Sequence, residues 1–189
     1  MTHQESLNRL KEGNSRFVED LLDGKLQNSS RRDSLISGQE PYAIILGCAD
    51  SRVVPELAFD TGLGELFTVR VAGNVANTSS IASIEYAIAH LGTKLIVVLG
   101  HQSCGAVTAA VSGGDNGYNL NQLLGHITPA IAASNKDASI NEVVKKNAEL
   151  TSIDLINRSS IIKTAVNSGE VKIVSAYYNL DSGKVDFLN

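Results

Sequence analysis

Short apolar runs alternate along this chain with longer segments whose apolar residues recur at helical spacing. The runs are rich in Ile, Val and Leu and end near glycine, a pattern typical of buried strands in a parallel sheet. Because helical segments separate these runs, we expect an α/β fold with a mostly parallel β-sheet flanked by helices. The predicted strands are residues 42–46, 66–71, 94–99 and 171–178, with a short partner strand at 185–188.

The helical segments begin with an apolar stripe near the start of the chain. The stripe extends from Leu7 to Leu21 and predicts an amphipathic helix over residues 5–23, which must bury its stripe on its own domain or on a second copy of the chain. Ser79 or Ser80 is expected to cap a later helix. The other predicted helices are residues 79–91, 104–111, 120–133 and 141–166, the last as one helix or two.

Length and composition indicate one ordinary globular domain over residues 1–189, with an N-terminal helical arm at about 1–38. Apolar residues make up 43% of the chain and charged residues 19%. The formal net charge of −4, with no stripe of Lys and Arg, argues against a nucleic-acid partner. No stretch approaches the ~20 apolar residues that span a membrane, and the start lacks the pattern of a signal peptide. We therefore expect no membrane partner and a cytoplasmic location.

Side chains that bind metals follow two of the predicted strands directly. Cys48 and Asp50 come after the run that ends at Gly47, and His101 and Cys104 come after the run that ends at Gly100. If these strands are parallel neighbours, their C-terminal ends open onto one crevice, so the four side chains should converge. In a reducing compartment, metal binding or catalysis explains the only two cysteines better than a disulfide does. The alternative is two unrelated buried thiols.

Two thiolates, one imidazole and one carboxylate form a coherent ligand set for Zn²⁺. We expect the position of Cys104 near a helix N-terminus to lower the pKa of its thiol and favour the thiolate. If Asp50 is the fourth zinc ligand, no coordination position is left for water and the site is structural. If Asp50 instead pairs with Arg52, the fourth position opens to water, whose pKa on zinc drops to about 7. A solvated Asp50–Arg52 ion pair is the plainer alternative.

Other kinds of site fit the sequence less well. A redox pair would need C-x-x-C spacing, which the chain lacks. The Gly62-x-Gly64 turn is too short for a dinucleotide-binding loop. The remaining histidines, His3, His90 and His126, have no partner at ligand spacing, so we expect each to be a surface or packed residue.

The motif Cys48-x-Asp50-Ser51-Arg52, followed by His101-x-x-Cys104-Gly105, resembles the β-class carbonic anhydrases. The resemblance covers most of the chain and includes residues 69–74, 84–87 and 183–188. It implies an enzyme that interconverts carbon dioxide and bicarbonate with one Zn²⁺ per chain. It also implies a homodimer or a dimer of dimers, in which the N-terminal helices pack on the partner subunit.

The resemblance further implies a role for individual residues. Cys48, His101 and Cys104 match the permanent zinc ligands, while Asp50 matches an aspartate that alternates between zinc and the residue matched by Arg52. Because the chain has no tryptophan and Ile45 stands where one branch of the family has one, we expect no inhibition at that branch's non-catalytic bicarbonate site. The implied substrate contacts are Gln39, Phe67, Ala72, the backbone amide of Gly105, and Tyr86 of a neighbouring subunit.

The sequence thus predicts a carbonate dehydratase in which zinc-bound hydroxide attacks carbon dioxide and the Asp50–Arg52 dyad orients it. One alternative is a carbonyl sulfide or carbon disulfide hydrolase that uses the same zinc site. Another is a structural or regulatory zinc module that Asp50 keeps closed. The zinc motif does not distinguish these functions, and the resting position of Asp50 and the number of chains in the assembly stay open.

Overall fold

The structure is a computed structural model that describes residues 1–188, and it has a five-stranded sheet at its centre. The strands are β1 (Ala43–Gly47), β2 (Leu66–Arg70), β3 (Leu95–His101), β4 (Lys172–Tyr178) and β5 (Val185–Phe187). Their order in the sheet is β2-β1-β3-β4-β5, and only the β4–β5 pair is antiparallel within the described part. The predicted α/β fold with a mostly parallel sheet is confirmed.

Helices connect the strands and cover the sheet. A short 3₁₀ turn at Ala72–Asn74 follows β2 and lies beside the C-terminal end of β1. The α-helices are α1 (His3–Val18), α2 (Ser29–Ser34), α3 (Pro55–Ala58), α4 (Thr78–Leu91), α5 (Gly105–Ser112), α6 (Tyr118–Gly125), α7 (Thr128–Ala133), α8 (Ile140–Arg158) and α9 (Ser160–Asn167).

The two central strands are buried on both faces, as their continuous apolar sequences predict. Every residue of β1 and β3 is buried. Side chains alternate across the sheet, so Ile45 joins a cluster with Leu10 and Phe59, whereas Ile44 joins a cluster on the other face with Leu155. A third cluster lies at the C-terminal ends of the strands and includes both cysteines. The edge at which β1 and β3 end therefore lies against a packed core.

Helix α1 buries the first part of its apolar stripe on its own chain. Leu7 and Leu10 join the cluster beneath the sheet, and a Cβ atom at Gly13 would lie only 1.9 Å from the carbonyl oxygen of Phe59, so no larger residue fits there. The helix ends at Val18 rather than near residue 23, because Asp20 turns the chain with a φ of 56°. Leu7 and Leu10 are buried without a partner subunit, whereas Leu21 lies beyond the helix and is 62% exposed, so packing of the arm on a partner stays a proposal.

The other differences from the predicted elements come from single residues. Asn77, not Ser79 or Ser80, caps α4 by accepting a hydrogen bond from the backbone N–H of Ser80. The region predicted as one helix or two at 141–166 is two helices, because Ser159 is extended and its hydroxyl caps α9. Two helices, α6 and α7, likewise replace the predicted segment 120–133. Among the described helices, none is long and apolar enough to cross a membrane.

Candidate metal centre

The sheet topology brings Cys48, His101 and Cys104 together. Cys48 directly follows β1, His101 is the last residue of β3, and Cys104 precedes the first turn of α5. Because β1 and β3 are parallel neighbours, their C-terminal ends meet at one edge. One ligand atom from each of the three residues lies within 4.8 Å of the other two, and the two sulfur atoms are 4.0 Å apart. All three residues are buried.

The imidazole of His101 tests whether these residues fit a metal ion. Its Nδ1 lies 2.9 Å from the backbone carbonyl oxygen of Gln102, a contact that requires the proton on Nδ1 and leaves a lone pair on Nε2. Nε2 is buried and has no hydrogen-bond partner among the described residues. A buried polar atom without a partner is costly, and coordination by a metal removes that cost. The donor set of two sulfurs and one imidazole nitrogen suits Zn²⁺.

The two thiols are electrostatically unequal. The pKa of Cys48 is lowered mainly because its sulfur accepts a hydrogen bond from Cys104, while burial opposes the shift. The imidazole of His101 and the backbone N–H of Gly73, 3.3 Å from the sulfur, lower it further. The pKa of Cys104 is raised by the same sulfur contact and by burial, which outweigh the amides at the start of α5. The lowering expected from the helix N-terminus is present, but the sulfur contact and burial outweigh it, so the pKa of Cys104 is raised and metal binding must displace the proton of this thiol.

Asp50 lies beside the three ligands with its carboxylate on Arg52. Two guanidinium N–H groups donate to its two oxygens at 2.9 and 2.8 Å, and the backbone N–H of Arg52 donates at 3.0 Å. These hydrogen bonds hold the pKa of Asp50 well below its usual range, although partial burial opposes them. Oδ2 is 3.8 Å from His101 Nε2, so the carboxylate borders the ligand group without belonging to it. Of the two arrangements open to Asp50, the structure has the one paired with Arg52.

Three residues that the sequence analysis did not assign to the site support it. Arg70, at the end of β2, donates hydrogen bonds to the backbone carbonyls of Cys48 and Asp50. Gly73 places its N–H on the sulfur of Cys48 in a left-handed conformation, with φ of 72°. The buried side chain of Asn147, on α8, donates to the carbonyl of Gly73 at 2.9 Å. Arg70 and Gly73 belong to the segment 69–74 that carries the resemblance, whereas no sequence signal links Asn147 to this edge.

The five predicted substrate residues divide into two groups. Ala72 lies in the 3₁₀ turn next to Gly73, and Gly105 begins α5 directly after Cys104, so both border the ligand group. Gln39, Phe67 and Tyr86 do not reach the ligand group within one chain.

Gln39 precedes β1, at the opposite end of that strand from Cys48, and lines a cleft of about 790 Å³. Phe67 lies earlier on β2 than Arg70, roughly 10 Å back along the strand. Its ring centroid is 6.3 Å from that of Tyr86, a half-exposed residue of α4. These three residues therefore lie on outer parts of the chain, away from its own metal centre.

A buried group of two cysteines and one histidine, beside an arginine-paired carboxylate, defines a zinc-enzyme type of site. Comparison with known proteins agrees. The family model described as carbonic anhydrase matches residues 43–185. Carbonic anhydrase 2 of Mycobacterium tuberculosis (strain CDC 1551 / Oshkosh) is 40% identical over 181 residues, which cover 93% of this chain and 87% of that protein. Carbonic anhydrase of Mycolicibacterium smegmatis is 39% identical over 183 residues, which cover 94% and 89%.

A solved structure shares the fold as well. The β-carbonic anhydrase of Coccomyxa in complex with acetazolamide superposes with a TM-score of 0.78 at 25% identity, covering 96% of this chain and 86% of that one. The chain therefore belongs to the carbonic anhydrase family, in its β class. It is a lyase with carbonic anhydrase activity and uses zinc, for which Cys48, His101 and Cys104 are positioned to hold one ion.

Proposed function

We propose that the chain catalyses the reaction of carbon dioxide with water to give bicarbonate and a proton, and its reverse, at one Zn²⁺ per chain held by Cys48, His101 and Cys104. The observation that carries this proposal is the buried Nε2 of His101, which has no hydrogen-bond partner in the described residues and faces two sulfurs 4.0 Å apart. Zinc, when bound, supplies Lewis-acid chemistry that makes water a nucleophile near neutral pH.

Asp50 and Arg52 orient the attacking water. Because hydrogen bonds from Arg52 lower the pKa of Asp50, its carboxylate stays ionised and acts only as an acceptor. A water molecule that donates one O–H group to Asp50 Oδ2 presents its lone pair toward the carbon of the substrate. Arg52 fixes the carboxylate with a two-pronged contact, which restricts that direction more than a single hydrogen bond does. Asp50 and Arg52 therefore contribute to catalysis by orienting the water molecule, and not by releasing a proton.

Small groups next to the ligands receive the substrate. A Cβ atom at Gly105 would meet no heavy atom within 4 Å outside its own helix, so open space lies beside the residue that follows Cys104, and Ala72 has only a methyl side chain. The first N–H groups of a helix have no partner within the helix, so the amide of Gly105 can donate to a bicarbonate oxygen. This placement supports the assignment of Gly105 as a substrate contact and of Ala72 as a wall of the pocket.

A second copy of the chain completes the substrate pocket. Gln39, Phe67 and Tyr86 lie too far from the ligand group of their own chain to serve it, so we assign them to the site of a partner. Family membership supports self-association as a dimer or a dimer of dimers.

We also propose that residues 1–189 form one domain and that the arm at about 1–38 contacts the partner. We further propose that the enzyme works in the cytoplasm without nucleic-acid or membrane partners. Size-exclusion chromatography with light scattering measures the number of chains in the assembly.

The Asp50–Arg52 contact disfavours a closed structural zinc module, because Asp50 would have to leave Arg52 to become the fourth ligand. Hydrolysis of carbonyl sulfide or carbon disulfide is not favoured either, since the curated relatives are carbonic anhydrases. Stopped-flow hydration of carbon dioxide by the zinc-containing protein, run beside a sulfide-release assay, tests both points. We expect one zinc per chain and hydration activity. Sulfide release without hydration, or bound zinc without either activity, would overturn the proposal.

A further inference from the structure

The segment after β1 leaves the sheet and carries both a zinc ligand and the carboxylate that orients water. Cys48 is its first residue and Asp50 follows shortly after, so its backbone geometry decides where a sulfur and a carboxylate lie. Arg70 lies on the neighbouring strand, opposite Gly47 in the β1–β2 register. Its Nε donates to the carbonyl oxygen of Cys48 at 2.9 Å, and its Nη2 donates to that of Asp50 at 2.6 Å. One planar guanidinium thus bridges two carbonyls of this segment.

The contact of Arg70 differs in kind from that of Arg52. Arg52 binds the carboxylate of Asp50 and leaves the backbone of Cys48 untouched. Arg70 binds only backbone oxygens and anchors them to the end of β2, whose next residue, Val71, in turn donates its N–H to the carbonyl of Gly47 at 3.1 Å. Arg70 therefore ties the segment after β1 to the sheet, and this link does not depend on where the side chain of Asp50 lies.

We propose that Arg70 is a positioning residue of the metal centre, which holds the sulfur of Cys48 against the other two ligands and aims the carboxylate of Asp50. This inference rests on the proposed function. Arg70 touches neither the substrate nor the ligand atoms, and it acts through the backbone. The fork of the guanidinium is essential, because two N–H groups at fixed separation match two carbonyls, whereas the ammonium of lysine is a point charge on a flexible stem.

The proposal predicts the effects of two substitutions on the zinc-containing protein. Arg70→Gln removes the charge and the fork, and Arg70→Lys keeps the charge but removes the fork. Loss of a group that orients a zinc ligand costs about 10–100-fold in affinity or activity. We expect both variants to release zinc to an excess of chromogenic chelator about 10–100-fold faster than the unmodified enzyme, and to lower kcat about tenfold with little change in KM.

The matched controls are Arg32→Gln and Arg32→Lys. Arg32 is an exposed arginine of α2, outside the segment and the ligand group. We expect both control variants to keep the zinc release rate and kcat of the unmodified enzyme. The visible spectrum of the cobalt(II)-substituted protein gives a second readout, because it reports ligand geometry and would not change if Arg70 only stabilised the fold.

The outcomes distinguish the positioning role of Arg70 from the proposed function of the enzyme. Zinc release at the unmodified rate from Arg70→Gln would overturn the positioning role, and so would an unmodified rate from Arg70→Lys, because charge alone would then suffice. If Arg70→Gln does not fold, Arg70→Lys with its cobalt spectrum still decides the matter. Failure of the unmodified protein to hold zinc or to hydrate carbon dioxide would overturn the proposed function instead.

Discussion

Two regions of this molecule satisfy their polar groups to different degrees. At the metal centre, the buried Nε2 of His101 has no hydrogen-bond partner among residues 1–188, and the contact with Cys48 together with burial raises the pKa of Cys104. The helix dock, which we define as Asn14 and Arg16 of α1 with Asp60 after α3, has the opposite character. Asn14 donates to the carbonyls of Ala58 and Gly183 and accepts from the N–H of Val185.

Asp60 completes the helix dock in the same way. It accepts hydrogen bonds from Arg16 and from the backbone N–H groups of Asp23 and Gly24. Buried groups that have all their partners stabilise a fold, whereas a buried group without one is costly unless a ligand supplies it. The metal centre therefore has polar atoms that are free to bind a ligand, whereas the polar groups of the helix dock contribute to the stability of the fold. Substitutions at the metal centre should change zinc content or kcat, whereas substitutions in the helix dock should change the free energy of unfolding.

Removal of His101 should have the largest effect. His101→Ala takes away the only nitrogen ligand of the described group, so we expect zinc content to fall far below one per chain and hydration to fall to background. Metal analysis and stopped-flow hydration measure both. His126→Ala is the matched control, because His126 lies at the end of α6 and outside the ligand group. A His101→Ala protein that retains one zinc per chain would contradict the assignment.

Asp50→Asn should separate catalysis from metal binding. The variant keeps the size of the side chain and all three ligands but loses the charge that Arg52 holds, so kcat should fall about 10²-fold while zinc content stays at one per chain. Asp33→Asn, at an exposed aspartate of α2, should keep the unmodified kcat. Loss of zinc from Asp50→Asn would mean that Asp50 is a resident ligand, and would shift this residue from orienting water to holding the metal.

Sequence patterns predicted much of the fold and the ligand set because both follow from local rules. Apolar runs that end near glycine marked β1 and β3, and parallel strands bring their C-terminal ends together, so Cys48, His101 and Cys104 followed from their positions after these runs. One bound that the pattern missed is the end of β3, which includes His101 itself. The metal ligand thus lies inside the ladder rather than in a loop.

Contacts between distant parts of the chain could not be predicted in this way. The side chain of Asn14 meets Gly183 and Val185, which are 169 and 171 positions further on. Asn147 meets Gly73 from 74 positions away. Neither asparagine stands out from its helix in sequence, because a buried amide is recognisable only by what packs around it. The unequal pKa values of the two thiols likewise depend on the approach of two sulfurs 56 positions apart, which outweighs the helix N-terminus at Cys104.

Asn14→Ala should destabilise the fold and leave the metal centre intact. It removes the partners of two carbonyls and one N–H, so we expect the free energy of unfolding to fall by about 2–4 kcal/mol. Zinc content and kcat per folded chain should not change. Denaturant unfolding measures the effect, and Asn8→Ala, at an exposed position of the same helix, should cost under about 0.5 kcal/mol. A drop in zinc content in Asn14→Ala at full folding would link the two regions.

The smallest expected effect is an acid sensitivity of the helix dock. Burial raises the pKa of Asp60, but hydrogen bonds from Arg16 and from the N–H groups of Asp23 and Gly24 outweigh burial and lower it below its ordinary value of 3.8. An aspartate with a lowered pKa in the folded state contributes stability that is fully present above its unfolded pKa and is lost as pH falls through its folded pKa. The contribution of Asp60 should therefore decline only below about pH 4.

The variant Asp60→Asn tests this sign. At neutral pH it should be less stable than the unmodified chain by about 1 kcal/mol, because the amide loses the charge that Arg16 and two backbone N–H groups bind. As pH falls from 7 to 3, the difference in unfolding free energy should stay constant and then shrink, since protonation makes Asp60 neutral as well. Effects of acid on the metal centre act on both proteins and cancel in the difference. A difference that grows on acidification would mean that Asp60 is protonated in the dock, and that burial rather than the ion pair decides its state.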